Sequence, residues 1–396
     1  MVLLGQSVFA DTPPAAADDP LYSGDLAKGE GMMQASLTAN PARDDLRFRL
    51  GLLRFVRAVE QLGQSFQRHG LRSDTALTMN VPFLRLPVPP NVNPEPFTYA
   101  EAKKIFVDFN NELKLAESTL VEIKDKSLKQ MVRLDQIMLT FVKDGKPGMP
   151  LTDLVAFYMG RRGQHLGELQ VAFDDGDVAW LRGYCHLLMC LSDMVLAYDE
   201  SEMFEYVGPV FFLGAKTGHR LEQTPPDQRN GGFDLGSILD AVAFLHLMHF
   251  PLEAPERMKS AHGHLQQMLA LSRESWKSIM AETDDDHEWL PNPKQHGALT
   301  VKVTDEMVSA WLGFVDEMDA LLEGKRLAPF WRGDKQKGIN LRKVFLEPKP
   351  FDLVLWVQGS GVLPYLEHGE MTKPDVWNRL NRVFQGEFTG FAIWFN

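Results

Sequence analysis

Two histidines, His246 and His249, have the type and spacing that could bind a metal. They lie three positions apart, so one helix face would present both imidazoles to the same ion. Zinc needs a third or fourth ligand, which acids on another helix would have to supply. Leu247 follows His246, so the HExxH pattern of zinc proteases is absent. Because the flanking residues are apolar, two hydrogen-bonded histidines near the core are the more typical interpretation.

The thiols and the remaining histidine pairs give weaker signals. His186 and Cys190 are four residues apart on a predicted helix, but apolar neighbours would raise the pKa of the thiol and make it inert. His262 and His264 are two apart, so a continuous helix would point them in different directions. Cys185 and Cys190, at ~1.5 Å of rise per residue, are too far apart for a disulfide. We expect buried free thiols.

Acidic turns at 174–177 and 284–286 could offer oxygen ligands to a cation. Helix caps and solvated loops are the simpler interpretation of both runs. A calcium loop centred on Gly145 fails, because Thr140, Val142 and Leu151 occupy three of its ligand positions. Phosphate-loop, dinucleotide and kinase motifs are also absent. We therefore assign no catalytic residue and predict no cofactor, which leaves enzyme activity open.

Aromatic residues are concentrated late in the chain and could line a binding groove. Trp331, Trp356 and Trp377 lie in a region after residue 330 that holds half of the eight tryptophans. We take these three as candidate binding residues. The alternative is a C-terminal cap in which the aromatic side chains serve as core mass on the helices.

The elements that would position these residues are mostly helices. Apolar side chains recur at spacings of three and four, and Asn, Asp, Gly and Pro mark the breaks. Thr98 with Glu101 forms a capping box, and Thr304 or Asp305 caps a later helix. The predicted helices are two within 21–71, then 99–124, 128–142, one from 152, 178–206, 234–249, 256–280 and 305–323.

Residues 29–63 resemble a single tetratricopeptide repeat boundary. With Pro41 as the closing proline, the small and large packing positions of that family fall on Gly29, Met33, Ser36, Leu50, Gly51 and Gly63. Arg47 and Arg54 stand where aromatic residues are usual, and no second copy follows at the period of that family. The resemblance implies one helical hairpin and does not imply an array.

Length and composition fit an ordinary globular protein. The chain has 396 residues, with 44% hydrophobic and 24% charged residues. A net charge of −12 makes a poor nonspecific nucleic-acid binder, because phosphate contacts need clustered cations. No apolar run approaches the length of a membrane span.

The N-terminal segment predicts export. Residues 1–10 read MVLLGQSVFA, and Val8 and Ala10 are small residues at the −3 and −1 positions of a signal-peptidase site. The apolar stretch is short and no basic residue precedes it. We expect an exported, periplasmic protein, with the cytoplasm as the alternative.

Together, these patterns predict a mainly α fold: an irregular multi-helix bundle or superhelical stack of eight to ten long helices, with short strands or extended segments near the C-terminus. The predicted divisions are a signal remnant and flexible N-terminus (1–20), a hairpin lobe (21–81), a proline-rich linker (82–97), the main bundle (98–323) and an aromatic cap (324–396). We expect a helical binding or scaffold protein with a protein partner. A metal-dependent enzyme built around His246 and His249 is the alternative.

Overall fold

A computed structural model of the chain describes residues 19–73, 78, 81–160, 165–216, 235–299, 302–386 and 388–395. Helices dominate this part of the chain and the strands are short, which confirms the mainly α prediction. The candidate signal remnant at 1–10 lies outside the described residues. No helix in these ranges combines the length and the apolar character that crossing a bilayer requires.

The described ranges contain thirteen α-helices, of which seven are long. The thirteen are α1 (Leu26–Ala39), α2 (Asp44–Arg68), α3 (Tyr99–Leu120), α4 (Leu151–Tyr158), α5 (Asp175–Ala197), α6 (Ser201–Phe211), α7 (Leu235–Leu247), α8 (Pro255–Ile279), α9 (Asp305–Leu322), α10 (Leu341–Leu346), α11 (Leu353–Gln358), α12 (Pro374–Phe384) and α13 (Phe388–Phe395). The seven long ones are α1, α2, α3, α5, α7, α8 and α9.

Nine short strands accompany the helices in the same ranges. They are β1 (Lys129–Arg133), β2 (Met138–Leu139), β3 (Met149–Pro150), β4 (Gln170–Asp174), β5 (His249–Phe250), β6 (Ala328–Pro329), β7 (Lys337–Ile339), β8 (Phe351–Asp352) and β9 (Leu366–His368). Strands β1 and β4, β2 and β3, and β5 and β8 form antiparallel pairs. Strands β6, β7 and β9 form a three-stranded antiparallel sheet.

The helices that form the main core pack as a row. Each of α1, α2, α3, α5, α8, α9 and α12 contacts the next member of this series. Helix α5 lies between α3 and α8, as its apolar character on most sides predicts. One cluster of buried apolar side chains extends through this row, from Leu21 to Phe391. The row therefore shares a single main core.

Close approach of α2 to its neighbours depends on two small residues. A Cβ atom at Gly51 would overlap the side chain of Leu120 on α3, and one at Gly63 would overlap the ring of Phe141. Helices α1 and α2 lie on either side of the turn at Asn40, as the hairpin prediction requires. The tetratricopeptide resemblance itself stays a prediction.

Local capping signals located two helix starts correctly and one incorrectly. The Thr98 hydroxyl accepts a bond from the Glu101 amide, and the Glu101 carboxylate accepts one from the Thr98 amide at 2.7 Å. Thr304 caps α9 in the predicted way. Helix α5, however, begins one turn early: Asp174 is its N-cap, and Asp177 completes the capping box from the third helical position.

The helix predicted at 128–142 is wrong. Residues 129–133 form β1, which pairs with β4 in register from Lys129 opposite Asp174 to Arg133 opposite Gln170. Leu128 and Val132 are buried and four apart, which imitates a helical stripe. Pairing with a strand some forty residues later overrides that local pattern.

The long helix predicted at 178–206 is interrupted after Ala197. Lys103 on α3 donates to the carbonyl of Tyr198, and the Glu200 amide donates to the Tyr99 hydroxyl at 2.8 Å. These partners satisfy backbone groups that a continuous helix would otherwise pair internally. Contacts from α3 therefore allow α5 to end and α6 to begin.

The C-terminal region divides between two cores. Ile339, Val362 and Tyr365 form a small separate cluster beside the three-stranded sheet. Phe391 of α13 instead joins the main core, where it packs near Trp276 of α8. Aromatic side chains of this region thus serve partly as core mass, which was the alternative interpretation of the late tryptophans.

Candidate functional site

The predicted metal pair lies at the junction of α7 and β5. The ring centroids of His246 and His249 are 5.5 Å apart. The Nδ1 atom of His249 is hydrogen-bonded to the His246 carbonyl oxygen at 2.6 Å. Its Nε2 atom lies 3.1 Å from a carboxylate oxygen of Glu202. These contacts and the nearby acid raise the pKa of His249. Metal binding by this pair stays a prediction.

The three candidate tryptophans occupy different environments. Trp331 is 56% exposed, shortly after β6. Trp356 on α11 is half-buried against Phe351 and Tyr365, with both ring separations 5.9 Å. Trp377 on α12 is half-buried and donates its indole N–H to the Thr372 hydroxyl at 2.8 Å.

An apolar pocket of about 500 Å³ lies where the two cores meet. That volume is typical of small-molecule and side-chain binding pockets, which often form where two packing units meet. Trp377 belongs to its lining, whereas Trp331 and Trp356 do not. The lining residues are Met318, Leu321, Ala328, Pro329, Leu341, Thr372 and Trp377.

An exposed apolar face extends over α7, α11 and the loop after β6. Each of its side chains exposes between 45% and 68% of its surface. Helix α11 packs on α7. We call this surface the apolar face; its residues are Leu239, Val242, Leu245, Trp331, Val354, Leu355 and Val357.

A chain of ionisable groups crosses the centre of the helical row. The Nδ1 atoms of His186 on α5 and His264 on α8 are 2.8 Å apart. The other nitrogen of His186 lies 3.6 Å from Glu117 of α3, and that of His264 lies 3.7 Å from Asp193 of α5. Carboxylate, imidazole, imidazole and carboxylate therefore follow one another.

Arginines terminate this chain at both ends. Arg182 donates two bonds of 3.1 Å to Glu117, and Arg257 donates one of 2.8 Å to the fully buried Asp193. Asn110 adds a bond of 3.0 Å to Asp193. The arrangement can pass a proton between the two imidazoles, and it cross-links α3, α5 and α8. The sequence suggests Cys190 as the neighbour of His186, whereas its partner in the structure, His264, lies on a helix far away in the chain.

Both cysteines are buried free thiols, as predicted. Burial raises the pKa of Cys185, and burial together with the Asp193 charge raises the pKa of Cys190 to about 12. A thiol with such a pKa is almost entirely protonated near neutral pH and is a poor nucleophile or metal ligand. Neither cysteine is suited to catalysis in this state.

Three carboxylates converge where α5 begins and α8 ends. Single oxygens of Asp174, Glu282 and Glu288 all lie within 4.8 Å of one another. Asp177, which is 2% exposed, is nearby and interacts with the charges of all three. We call these four residues the carboxylate cluster. The sequence indicates helix caps at the aspartates and does not single out either glutamate.

Burial and mutual repulsion suppress ionisation in the carboxylate cluster. Burial, followed by the charge of Asp174, raises the pKa of Glu282 to about 8. Burial also raises the pKa of Asp174, Asp177 and Glu288. Like charges held close in a desolvated place disfavour the ionised form, unless a proton or a cation compensates them. Such clusters are frequent at functional sites.

Comparison with known proteins identified no relative on which a function could be based. No family model, curated protein or solved structure matches the chain. Functional inference therefore depends on the geometry of the pocket, the apolar face and the carboxylate cluster.

Proposed function

We propose that this chain is a helical binding or scaffold protein that holds a partner protein on the apolar face. The observation that carries the proposal is the exposure of seven large apolar side chains on adjacent elements. Monomeric proteins seldom expose contiguous apolar patches unless the patch is an interaction site. The exposed Trp331 fits this role, since tryptophan is enriched among residues that dominate binding energy.

The apolar face and the apolar pocket are connected by the loop after β6. Pro329 lines the pocket, and Trp331 follows it by two residues. A Cβ atom at Gly359, the C-cap of α11, would lie 3.3 Å from the ring of Phe330, so this loop packs beside α11. A partner resting on α11 and Trp331 could therefore insert an apolar side chain into the pocket.

The net charge of the chain favours a partner protein over a membrane as the ligand of the apolar face. Attraction to anionic lipid surfaces depends on clustered Lys and Arg, each of which contributes roughly 1 kcal/mol near the membrane. This chain has a net charge of −12, so an anionic lipid surface would repel the protein as a whole. An apolar protein surface has no such requirement, because burial of apolar area drives the association.

The test is a pull-down in which three forms of the full chain, the wild type, a face variant and a control variant, each serve as bait in an extract of the source cells. The face variant carries Trp331→Ser and Val357→Ser, and the control carries Val92→Ser, since Val92 is 84% exposed and lies outside the apolar face. We expect a protein that binds the wild type and the control and is lost from the face variant. The recovered protein is then purified, and its affinity for each form is measured by calorimetry.

Loss of the two side chains should weaken that affinity by about tenfold or more, as for other buried anchors. Equal affinity of the purified partner for the wild type and the face variant would contradict the proposal. Flotation of the wild type with liposomes would instead assign the apolar face to a lipid surface. Self-association that only the face variant loses would assign it to a second copy of the chain.

Export is proposed separately, on the small residues at Val8 and Ala10. N-terminal sequencing of the protein from its source should then begin at Asp11. An intact Met1 in the cytosolic fraction would contradict export without affecting the binding proposal.

A further inference from the structure

The carboxylate cluster draws its members from separate parts of the fold. Asp174 ends β4, Asp177 lies in the first turn of α5, and Glu282 follows the end of α8. Glu288 comes from the loop beyond, where the preceding His287 has a left-handed backbone with φ of 67°. Backbone bridging between Ala172 and Glu288 fixes this loop beside β4. The four acids are therefore held together by tertiary structure.

A buried oxygen without a partner indicates that these acids await a ligand. Asp177 is 2% exposed; its Oδ2 atom accepts from the Asp174 amide, whereas no donor among the described residues reaches its Oδ1 atom. A buried carboxylate oxygen without a hydrogen bond destabilises the fold, and a cation bound beside Asp177 would offset that cost.

Protein cations do not fill this role within the described ranges. Lys129 is paired with Asp284 and Asp286, and Lys126 is paired with Asp175 and Glu274. Among the described residues, no Lys, Arg or His forms an ion pair with Asp174, Asp177, Glu282 or Glu288. Asp174 and Glu282 are hydrogen-bonded to each other, so a shared proton compensates part of the charge of the carboxylate cluster, and an external cation would displace that proton.

We propose that Asp174, Glu282 and Glu288, beside the buried Asp177, form a binding site for a hard divalent cation, with Ca²⁺ preferred over Mg²⁺. All the available ligands are carboxylate oxygens, which hard cations prefer, and softer metals favour nitrogen or sulfur. Ca²⁺ accepts many protein oxygens in flexible geometry, while Mg²⁺ retains several waters and demands an octahedron. Three converging protein carboxylates therefore suit Ca²⁺ better.

The bound cation would join the start of α5 to the end of α8. These two helices form the most extensive helix pair among the described residues, and the loop that follows α8 is also held by ion pairs of Lys129 and His296 with its aspartates. Cation binding to the folded chain alone stabilises it by mass action. The site would therefore act as a structural clamp, and the inference does not depend on the binding function proposed above.

Terbium luminescence tests the site directly on the unmodified full chain. Tb³⁺ occupies calcium sites, and Trp289, adjacent to Glu288, can sensitise its emission. We expect saturable emission at one ion per chain, displaced by Ca²⁺ and less effectively by Mg²⁺. Absence of sensitised emission, or displacement by Zn²⁺ alone, would overturn the proposal.

Thermal unfolding then tests the ligands. The midpoint of the wild type should rise in about 1 mM Ca²⁺, a level at which extracellular calcium sites are commonly filled, relative to EDTA. Glu282→Gln should lose this shift and weaken Tb³⁺ binding by about tenfold or more.

A matched control lies in the same loop. Asp285 is exposed and pairs with His296 at 2.6 Å, so Asp285→Asn should retain the full Ca²⁺ shift. Glu288→Gln provides a second ligand variant if Glu282→Gln does not fold. A Ca²⁺ shift that survives in both ligand variants, or that disappears in Asp285→Asn, would overturn the assignment of these ligands.

Discussion

His186 and His264 meet across α5 and α8 with their Nδ1 atoms 2.8 Å apart. At this distance one ring must donate a proton and the other must accept it, so the two Nδ1 atoms cannot both be protonated. Burial, followed by the proximity of His186, lowers the pKa of His264 below its ordinary value of 6.5. The pair therefore resists full protonation in the folded state.

Folding stability should depend on pH through His264. As the pH falls below 6.5, the unfolded chain binds a proton at this residue before the folded chain does. The stability contributed by the neutral imidazole is thus present above pH 6.5 and is lost below it. We expect His264→Gln to flatten the decline in the free energy of unfolding between about pH 7 and pH 5.5, measured by urea denaturation.

The exposed His296 supplies the control for this experiment. Its pKa is raised by a hydrogen bond to Asp285, so it contributes a dependence of opposite sign. His296→Gln should leave the decline attributed to His264 in place. An identical pH dependence in the wild type and His264→Gln would contradict the prediction.

Arg257 is expected to be important for stability because its partner is fully buried. Asp193 is 0% exposed and accepts from Arg257 at 2.8 Å. Removal of one partner from a buried ion pair leaves an uncompensated charge and costs about 3 kcal/mol. Chemical denaturation of Arg257→Ala measures this loss. Arg273→Ala, on the same helix but paired with the exposed Asp316 and the half-buried Asp319, should cost less than about 1 kcal/mol; equal losses would contradict this explanation.

Two glycine substitutions should have opposite effects. Gly51→Ala places a methyl group against Leu120 and should destabilise the fold by about 1–3 kcal/mol. Gly31→Ala, in an open position within α1, should stabilise it by about 0.5–1 kcal/mol through helix propensity. Denaturant midpoints measure both changes. If both variants changed the free energy of unfolding in the same direction, close packing of α2 on α3 would not be the cause of the Gly51→Ala effect.

Thiol labelling should distinguish the folded from the unfolded chain. Cys185 and Cys190 are buried with raised pKa values, so a disulfide reagent at about pH 8 should react roughly 100-fold more slowly with the native protein than with the denatured protein. Spectrophotometric titration should count two thiols after denaturation. Rapid labelling of the native chain would show that α5 is more accessible than its burial indicates.

Local sequence patterns were sufficient for the fold class and for several element ends. The capping residues Thr98 and Thr304 satisfy backbone groups within three positions, so their effect can be recognised in a short window. Strand β1 could not be recognised in this way, because its partner β4 begins at residue 170. The end of α5 depends likewise on Lys103 and Tyr99 of α3.

The carboxylate cluster shows the same limit at the level of a site. Asp174 and Asp177 were interpreted as caps, and Asp174 does cap α5. Their further role depends on Glu282 and Glu288, which are more than one hundred residues away in the chain. In the sequence, the only indication of these two glutamates as site residues is that they flank the aspartate run at 284–286. Tertiary packing is what brings them to α5.

Phe391 of α13 packs among aromatic rings of three other helices, namely Trp276, Trp311 and Phe384. During translation, α8 and α9 emerge from the ribosome well before this residue does. Their aromatic surfaces must therefore stay uncovered until α13 has been synthesised. A ribosome that stalls before residue 388 leaves a nascent polypeptide with these rings open to water, which makes it a substrate for chaperones and prone to aggregation.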